Sequence, residues 1–193
     1  MDILEFKSGK WRGKSLEQLA VTDYPSFRWL YENGNLPDRW KARMEKIIYA
    51  LDNFESKIKC QNPNCCNPAE YLSIVVEYSY GYSGYGSRSR GKAKPIADIG
   101  VSTDYVFCSP KCSKNSHLPL HEKAILYEAK YSVIFSEFSP TTCNKGIRED
   151  LHNVMYKLLA GEMEKTKKNL YNLINKILES LEAQRQRQLS FNF

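Results

Sequence analysis

Nowhere in the chain does an uninterrupted apolar run approach the ~18 residues that a membrane-spanning helix requires, so no membrane partner is expected. The start, Met1-Asp2-Ile3-Leu4-Glu5, has neither the basic opening nor the apolar stretch of a secretory signal. The expected location is the cytoplasm. Histidine is scarce, at three residues, and no histidine-metal motif, nucleophile triad or acidic cluster stands out. Glu149, Asp150, Glu162 and Glu164 read as the solvated face of a charged helix. No catalytic residue is assigned, and an enzyme is the less favoured reading. Internal repeats are absent.

What is present fits one ordinary domain or two small ones in 193 residues, with 42% hydrophobic residues to build a core. The net charge of +6 and a pI near 8.9 suit a polyanionic partner. The charge is uneven. From Gly81 to Lys114 the chain carries Arg88, Arg90, Lys92, Lys94, Lys111 and Lys114 against Asp98 and Asp104.

The pattern predicts an α+β chain in four sections. Residues 1–59 form a small helical module: a strand-like start, a helix over Leu16 to Ala20, a second entered at Tyr24-Pro25 and stopped by Gly34, and a third from Pro37 to Lys59. The third carries Trp40, Met44, Ile47, Ile48, Leu51 and Phe54 at helical spacing. Residues 60–117 are β-rich, with strands at 71–78 and 96–107 joined by a mobile Gly/Ser/Tyr loop over 79–91. In the helical section 118–187, Ile125, Leu126, Ala129, Val133 and Ile134 suggest a helix over 118–138. A long helix or helical hairpin follows from about Gly146, with a break at Gly161. Residues 188–193 form a flexible tail.

The six cysteines, in a chain without an export signal, read as metal ligands before disulfides. Cys60 and Cys65 lie in a turn-rich stretch, Cys60-Gln61-Asn62-Pro63-Asn64-Cys65-Cys66; Cys108 and Cys112 flank an expected helix start. Closely spaced thiolates in a tight turn offer two ligands at once, and four of them fill a tetrahedral zinc site with no position left for water. The zinc is therefore expected to be structural. Cys66 is an alternative to Cys65, Cys143 reads as a buried thiol, and His117 and His121 read as cap or surface residues, with a fifth-ligand or replacement role as the alternative. A turn with two cysteines, two strands and a helix with two more resembles a treble-clef zinc finger.

The N-terminal stretch Phe6-Lys7-Ser8-Gly9-Lys10-Trp11-Arg12-Gly13-Lys14-Ser15-Leu16 repeats Gly-Lys four residues apart. Glycines permit turns with positive φ, leaving the lysines on exposed backbone. It is no P-loop: the gap between glycines is one residue short and no buried strand precedes it. With Asp23, Phe27, Trp29 and Leu30, the pattern resembles the small C-terminal domain of exodeoxyribonuclease X, over roughly residues 4–56. Ser8 before Gly9 and a proline after Tyr24 depart from the family pattern. The resemblance implies an accessory nucleic-acid-binding element; the exonuclease's catalytic domain has no counterpart here. Lys10, Arg12 and Lys14 beside Trp11 are candidates for phosphate contacts and stacking, while Trp29 and Trp40 read as core.

The tail, Gln188-Leu189-Ser190-Phe191-Asn192-Phe193, resembles the hexapeptide by which bacterial replication and repair proteins bind the sliding clamp. Gln188 would orient the peptide, and Leu189, Phe191 and Phe193 would anchor it. Together these features predict a non-enzymatic nucleic-acid-binding accessory protein of replication or repair, from a bacterium or its phage. DNA is the expected partner, with single-stranded DNA or RNA left open. Arg88, Arg90 and Lys92 add a further basic contact, and the C-terminal helices offer a surface for a homodimer. The alternatives are a nuclease or nuclease subunit, and a phage protein that subverts a host clamp.

Overall fold

The computed structural model describes residues 3–82, 95–138 and 145–190, with the backbone alone for 76–82, 95–104 and 145–148. The order is α1 (Leu16–Thr22), α2 (Tyr24–Asn33), α3 (Asp38–Asp52), β1 (Tyr71–Tyr82), β2 (Pro95–Phe107), α4 (Pro110–Lys114), β3 (Ala124–Glu128), α5 (Tyr131–Glu137), α6 (Lys145–Ala160) and α7 (Lys167–Ser190). The chain is α+β.

Local chemistry sets the first helices. Ser15 caps α1 in a reciprocal box with Gln18: the Ser15 hydroxyl accepts from the Gln18 N–H, and the Gln18 amide oxygen accepts from the Ser15 N–H. Asp23 caps α2, accepting from the Ser26 N–H, with Pro25 in the first turn. Gly34 ends α2 at φ −78°, so the glycine is needed for space and not for handedness: a Cβ there would meet the Leu30 carbonyl oxygen at 2.4 Å.

Three expectations are corrected here. The third helix stops at Asp52, and Phe54, though apolar at the next helical position, lies in the irregular segment beyond it. The stretch around Ile125 and Leu126 is a strand, because it completes a three-stranded antiparallel sheet in the order β2-β1-β3; only Tyr131–Glu137 is helical in that region. A short apolar run does not reveal its period, and pairing with a distant strand decided this one. Strand pairing also extends past the expected loop boundary, to Tyr82 opposite Pro95.

β3 pairs with β1 only over Tyr71 to Val75, whereas β2 follows β1 along its whole length, with a bulge at Ser73/Ile74. The outer part of the hairpin therefore leaves the sheet as a two-stranded arm. The expected helical break at Gly161 is present, between α6 and α7.

One apolar cluster joins the helices other than α4: Leu16 and Leu19 of α1, Phe27 of α2, Met44, Ile47 and Leu51 of α3, Ile134 of α5, Leu151 and Leu158 of α6, and Leu170 and Ile174 of α7. Leu72 and Ile74 of β1 belong to it as well, so the N-terminal module and the C-terminal helices share a core. Inside it, Glu17 of α1 is 1% exposed and paired with Arg43 of α3 at 2.8 Å. Arg43 also donates from Nη1 to Asn175 Oδ1 of α7 at 2.8 Å, and its guanidinium lies 4.6 Å from the Tyr171 ring.

Candidate metal centre and basic hairpin

The four cysteines converge at the root of the β-arm. Cys60 and Cys65 sit in a knuckle just before β1. The Asn62 carbonyl accepts from the Cys65 N–H at 2.9 Å, and its side-chain oxygen accepts from the Asn64 N–H at 3.0 Å, which closes the turn. Cys108 follows β2, and Cys112 lies on α4, whose cap Ser109 accepts from the Cys112 N–H at 3.1 Å. Asn62 fastens the two halves by donating from Nδ2 to the Cys112 carbonyl at 2.9 Å. The Gln61 N–H and the Gln61 side-chain oxygen both bond Val106, holding the knuckle in register with β2.

Cys60 Sγ lies 3.5 Å from Cys112 Sγ, and Cys65 Sγ lies 3.5 Å from Cys108 Sγ. All four sulfurs fall within 4.8 Å of one another. A tetrahedral thiolate site with metal–sulfur bonds of about 2.3 Å has edges of about 3.8 Å, so these residues fit a single metal ion. The choice between Cys65 and Cys66 falls to Cys65, because Cys66 is exposed and outside the cluster. Burial pushes the Cys112 thiol up to about 12 and raises Cys108, whereas a hydrogen bond from the Asn67 backbone lowers Cys65. Four converging sulfurs cannot all be thiolates side by side unless a cation neutralises them.

Neither histidine joins the sulfurs. His121 Nδ1 accepts from the Lys123 N–H at 3.2 Å, and His117, exposed, occupies a positive-φ position. Cys143 lies outside the described residues.

The Gly-Lys motif is a tight hairpin. Its ends are zipped by Phe6 N–H to Lys14 O at 3.0 Å, Gly13 N–H to Phe6 O at 2.9 Å and a bridge between Glu5 and Ser15. Gly9 and Gly13 have φ of 78° and 82°, the left-handed conformation that the glycines were expected to supply. Lys7, Lys10, Arg12 and Lys14 are exposed. Trp11 is half-buried: its ring meets Phe6 at 5.7 Å, Phe6 meets Trp40 of α3 at 5.0 Å, and Lys10 Nζ lies 5.3 Å from the Trp11 ring. This row of rings docks the hairpin onto α3, so the indole serves packing as well as any stacking partner. Trp40 packs against the core as expected, but Trp29 does not. It is 58% exposed on the outer face of α2, because Tyr24, Phe27 and Leu30 take the inner one.

Arg88, Arg90 and Lys92 lie outside the described residues, as do Phe191 and Phe193. α7 continues to Ser190, so Gln188 and Leu189 stand on its final turn instead of in an irregular tail; both are exposed.

A cleft of about 680 Å³ runs beside α7, with Phe54, Tyr71, Leu173, Ile177 and Leu181 among its walls. Its charged groups mix both signs, and Lys130 and Glu128 pair with each other. No catalytic constellation converges there. Residues missed by the sequence reading include Glu17, Arg43 and His152, whose partners lie 26, 26 and 128 positions away along the chain. No helix among the described residues is long and apolar enough to cross a membrane. No family model matches the chain, and no curated protein or solved structure matches it.

Proposed function

We propose that this protein is a non-enzymatic nucleic-acid-binding accessory factor, with DNA as its partner and a structural zinc ion held by Cys60, Cys65, Cys108 and Cys112. The observation that carries the reading is the hairpin over residues 6–14, which presents Lys7, Lys10, Arg12 and Lys14 to solvent on a backbone fixed by two positive-φ glycines and the Phe6–Trp40 contact. A rigid basic turn suits the phosphate backbone, because its cations are placed before the ligand arrives.

The donor set favours zinc among divalent metals: four thiolates, soft and closely spaced, with no oxygen ligand. Such a sphere is closed, so the ion would tie the knuckle to α4 and polarise no substrate. The order of knuckle, hairpin and short helix supports the treble-clef resemblance. The tail supplies recruitment to a bacterial sliding clamp. The last described turn of α7 is exposed, so unwinding it to present Gln188 and Leu189 in an extended peptide costs little.

Titrating labelled single-stranded DNA, duplex DNA and RNA into the metal-loaded protein across a salt series tests the binding. A steep fall in affinity with salt, weakened by Lys10→Ala with Lys14→Ala, supports it. Binding to none of the three rejects it. A pull-down on purified clamp with and without residues 188–193 tests the tail separately.

A further inference from the structure

A smaller cleft of about 180 Å³ opens where the base of the hairpin meets α3 and α7, lined by Leu4, Arg39, Arg43 and Tyr171. Neither the hairpin nor the arm accounts for it. Arg43 forms its inner wall and cannot swing away: Nε donates to Glu17 Oε1 at 2.9 Å, Nη1 to Asn175 Oδ1 at 2.8 Å, and the guanidinium lies 4.6 Å from the Tyr171 ring. Arg43 Nη2 lies 2.8 Å from Glu17 Oε1 and is buried, so this guanidinium is committed to holding the wall in place.

Arg39 stands one turn earlier on the same helix. It is exposed, and no ion pair engages it among the described residues. Glu17 neutralises Arg43, which leaves Arg39 as the uncompensated charge of the cleft. The carboxylates nearest in the chain do little to offset it: Glu5 is paired with Lys167 at 2.6 Å, and Asp38 is exposed to water at the start of α3. Trp40, the residue after Arg39, touches Phe6, which touches Trp11 beneath Lys10. The cleft and the cationic hairpin are thus joined through one row of rings.

We propose that this cleft binds a phosphodiester group of a nucleic-acid strand, and that the strand continues from it across the Gly-Lys hairpin. The site rests on the reading of the hairpin as a nucleic-acid contact, and extends it to residues on α3 and α7. Arg39 supplies a mobile guanidinium fork for the phosphate oxygens, and Arg43, held by Glu17 and Asn175, fixes the wall behind it. Leu4 and Tyr171 give the adjoining sugar an apolar wall.

The test compares the metal-loaded full-length protein with Arg39→Ala, Arg39→Lys and the Lys10→Ala/Lys14→Ala double variant, using labelled single-stranded DNA, duplex DNA and RNA over a salt series. Arg39 is exposed, so an unchanged melting temperature is the folding control. Arg39→Ala is expected to weaken binding about tenfold and to lower the slope of log affinity against log salt by about one. Arg39→Lys should restore the slope and only part of the affinity, because the ammonium keeps the charge and loses the fork. If the hairpin variant weakens binding and Arg39→Ala leaves both affinity and slope unchanged, the cleft is not a phosphate site and the hairpin reading stands. If the unaltered protein binds neither DNA nor RNA, both readings fall.

Discussion

His152 Nε2, on α6, accepts a hydrogen bond from the backbone N–H of Tyr24 at 3.0 Å. The imidazole is 4% exposed and lies on the Phe135 ring, with centroids 4.1 Å apart. That N–H belongs to the first turn of α2, where helix geometry supplies no partner, so a side chain distant in the chain completes the helix start. Replacing His152 with Leu removes the acceptor and leaves the N–H buried. The expected cost is about 2–3 kcal/mol, read as a lower urea midpoint with an unchanged denaturant slope.

Tyr131 is fully buried, packed on Tyr24 at 5.6 Å, and burial raises the pKa of both phenols. An unfolded tyrosine ionises near pH ~10, so above that pH the folded protein holds protons that the unfolded chain gives up. Stability should be constant in this respect below pH ~10 and then fall by about 1.4 kcal/mol per pH unit for each tyrosine. The Tyr131 hydroxyl has no hydrogen-bond partner. Tyr131→Phe should therefore cost nothing at neutral pH and flatten the alkaline decline, measured by chemical denaturation at several pH values.

The sulfur cluster makes a prediction about composition. Elemental analysis should find one metal ion per chain, lost in Cys60→Ser and Cys112→Ser and retained in Cys66→Ser, which lies outside the cluster. Strong chelation should lower the melting temperature by ~10 °C or more. Acid should release the metal, because protons compete for the thiolates; retention of the ion well below pH 5 would contradict thiolate ligation.

Arg43→Ala isolates Glu17, whose Oε2 already lacks a partner, in a site 1% exposed. An unpaired buried carboxylate costs about 3–5 kcal/mol. Arg43→Ala combined with Glu17→Ala should recover part of that loss, and a double-mutant cycle in urea gives the coupling.

The legible parts of this chain were those written in short-range chemistry. Gly34 after α2, Gly9 and Gly13 in the hairpin, and the two cysteine pairs each announce themselves within a few residues, because helix ends, turns and metal ligands have local geometric demands. What escaped reading depends on pairing across the chain. Ile125 and Leu126 became a strand only because β1 offered an open edge. Phe54 continued an apolar period past the end of its helix, since the core accepts a side chain from irregular backbone as readily as from a helix. Trp29 looked like core by type, yet α2 had already filled its inner face. The Glu17–Arg43 pair and the Tyr24–His152 bond join positions with no shared motif.

Because the cysteine pairs flank β1 and β2 and meet at their base, an ion there would close the hairpin into a covalently bounded loop whose ends do not depend on what lies farther out. The segment beyond Val75 has lost its third strand. Arm length is then set apart from the knuckle: paired residues could be removed or inserted symmetrically without disturbing the sulfurs, within the limit set by α6, which packs against β2. The centre would act as a socket, with the projecting strands as the interchangeable fitting.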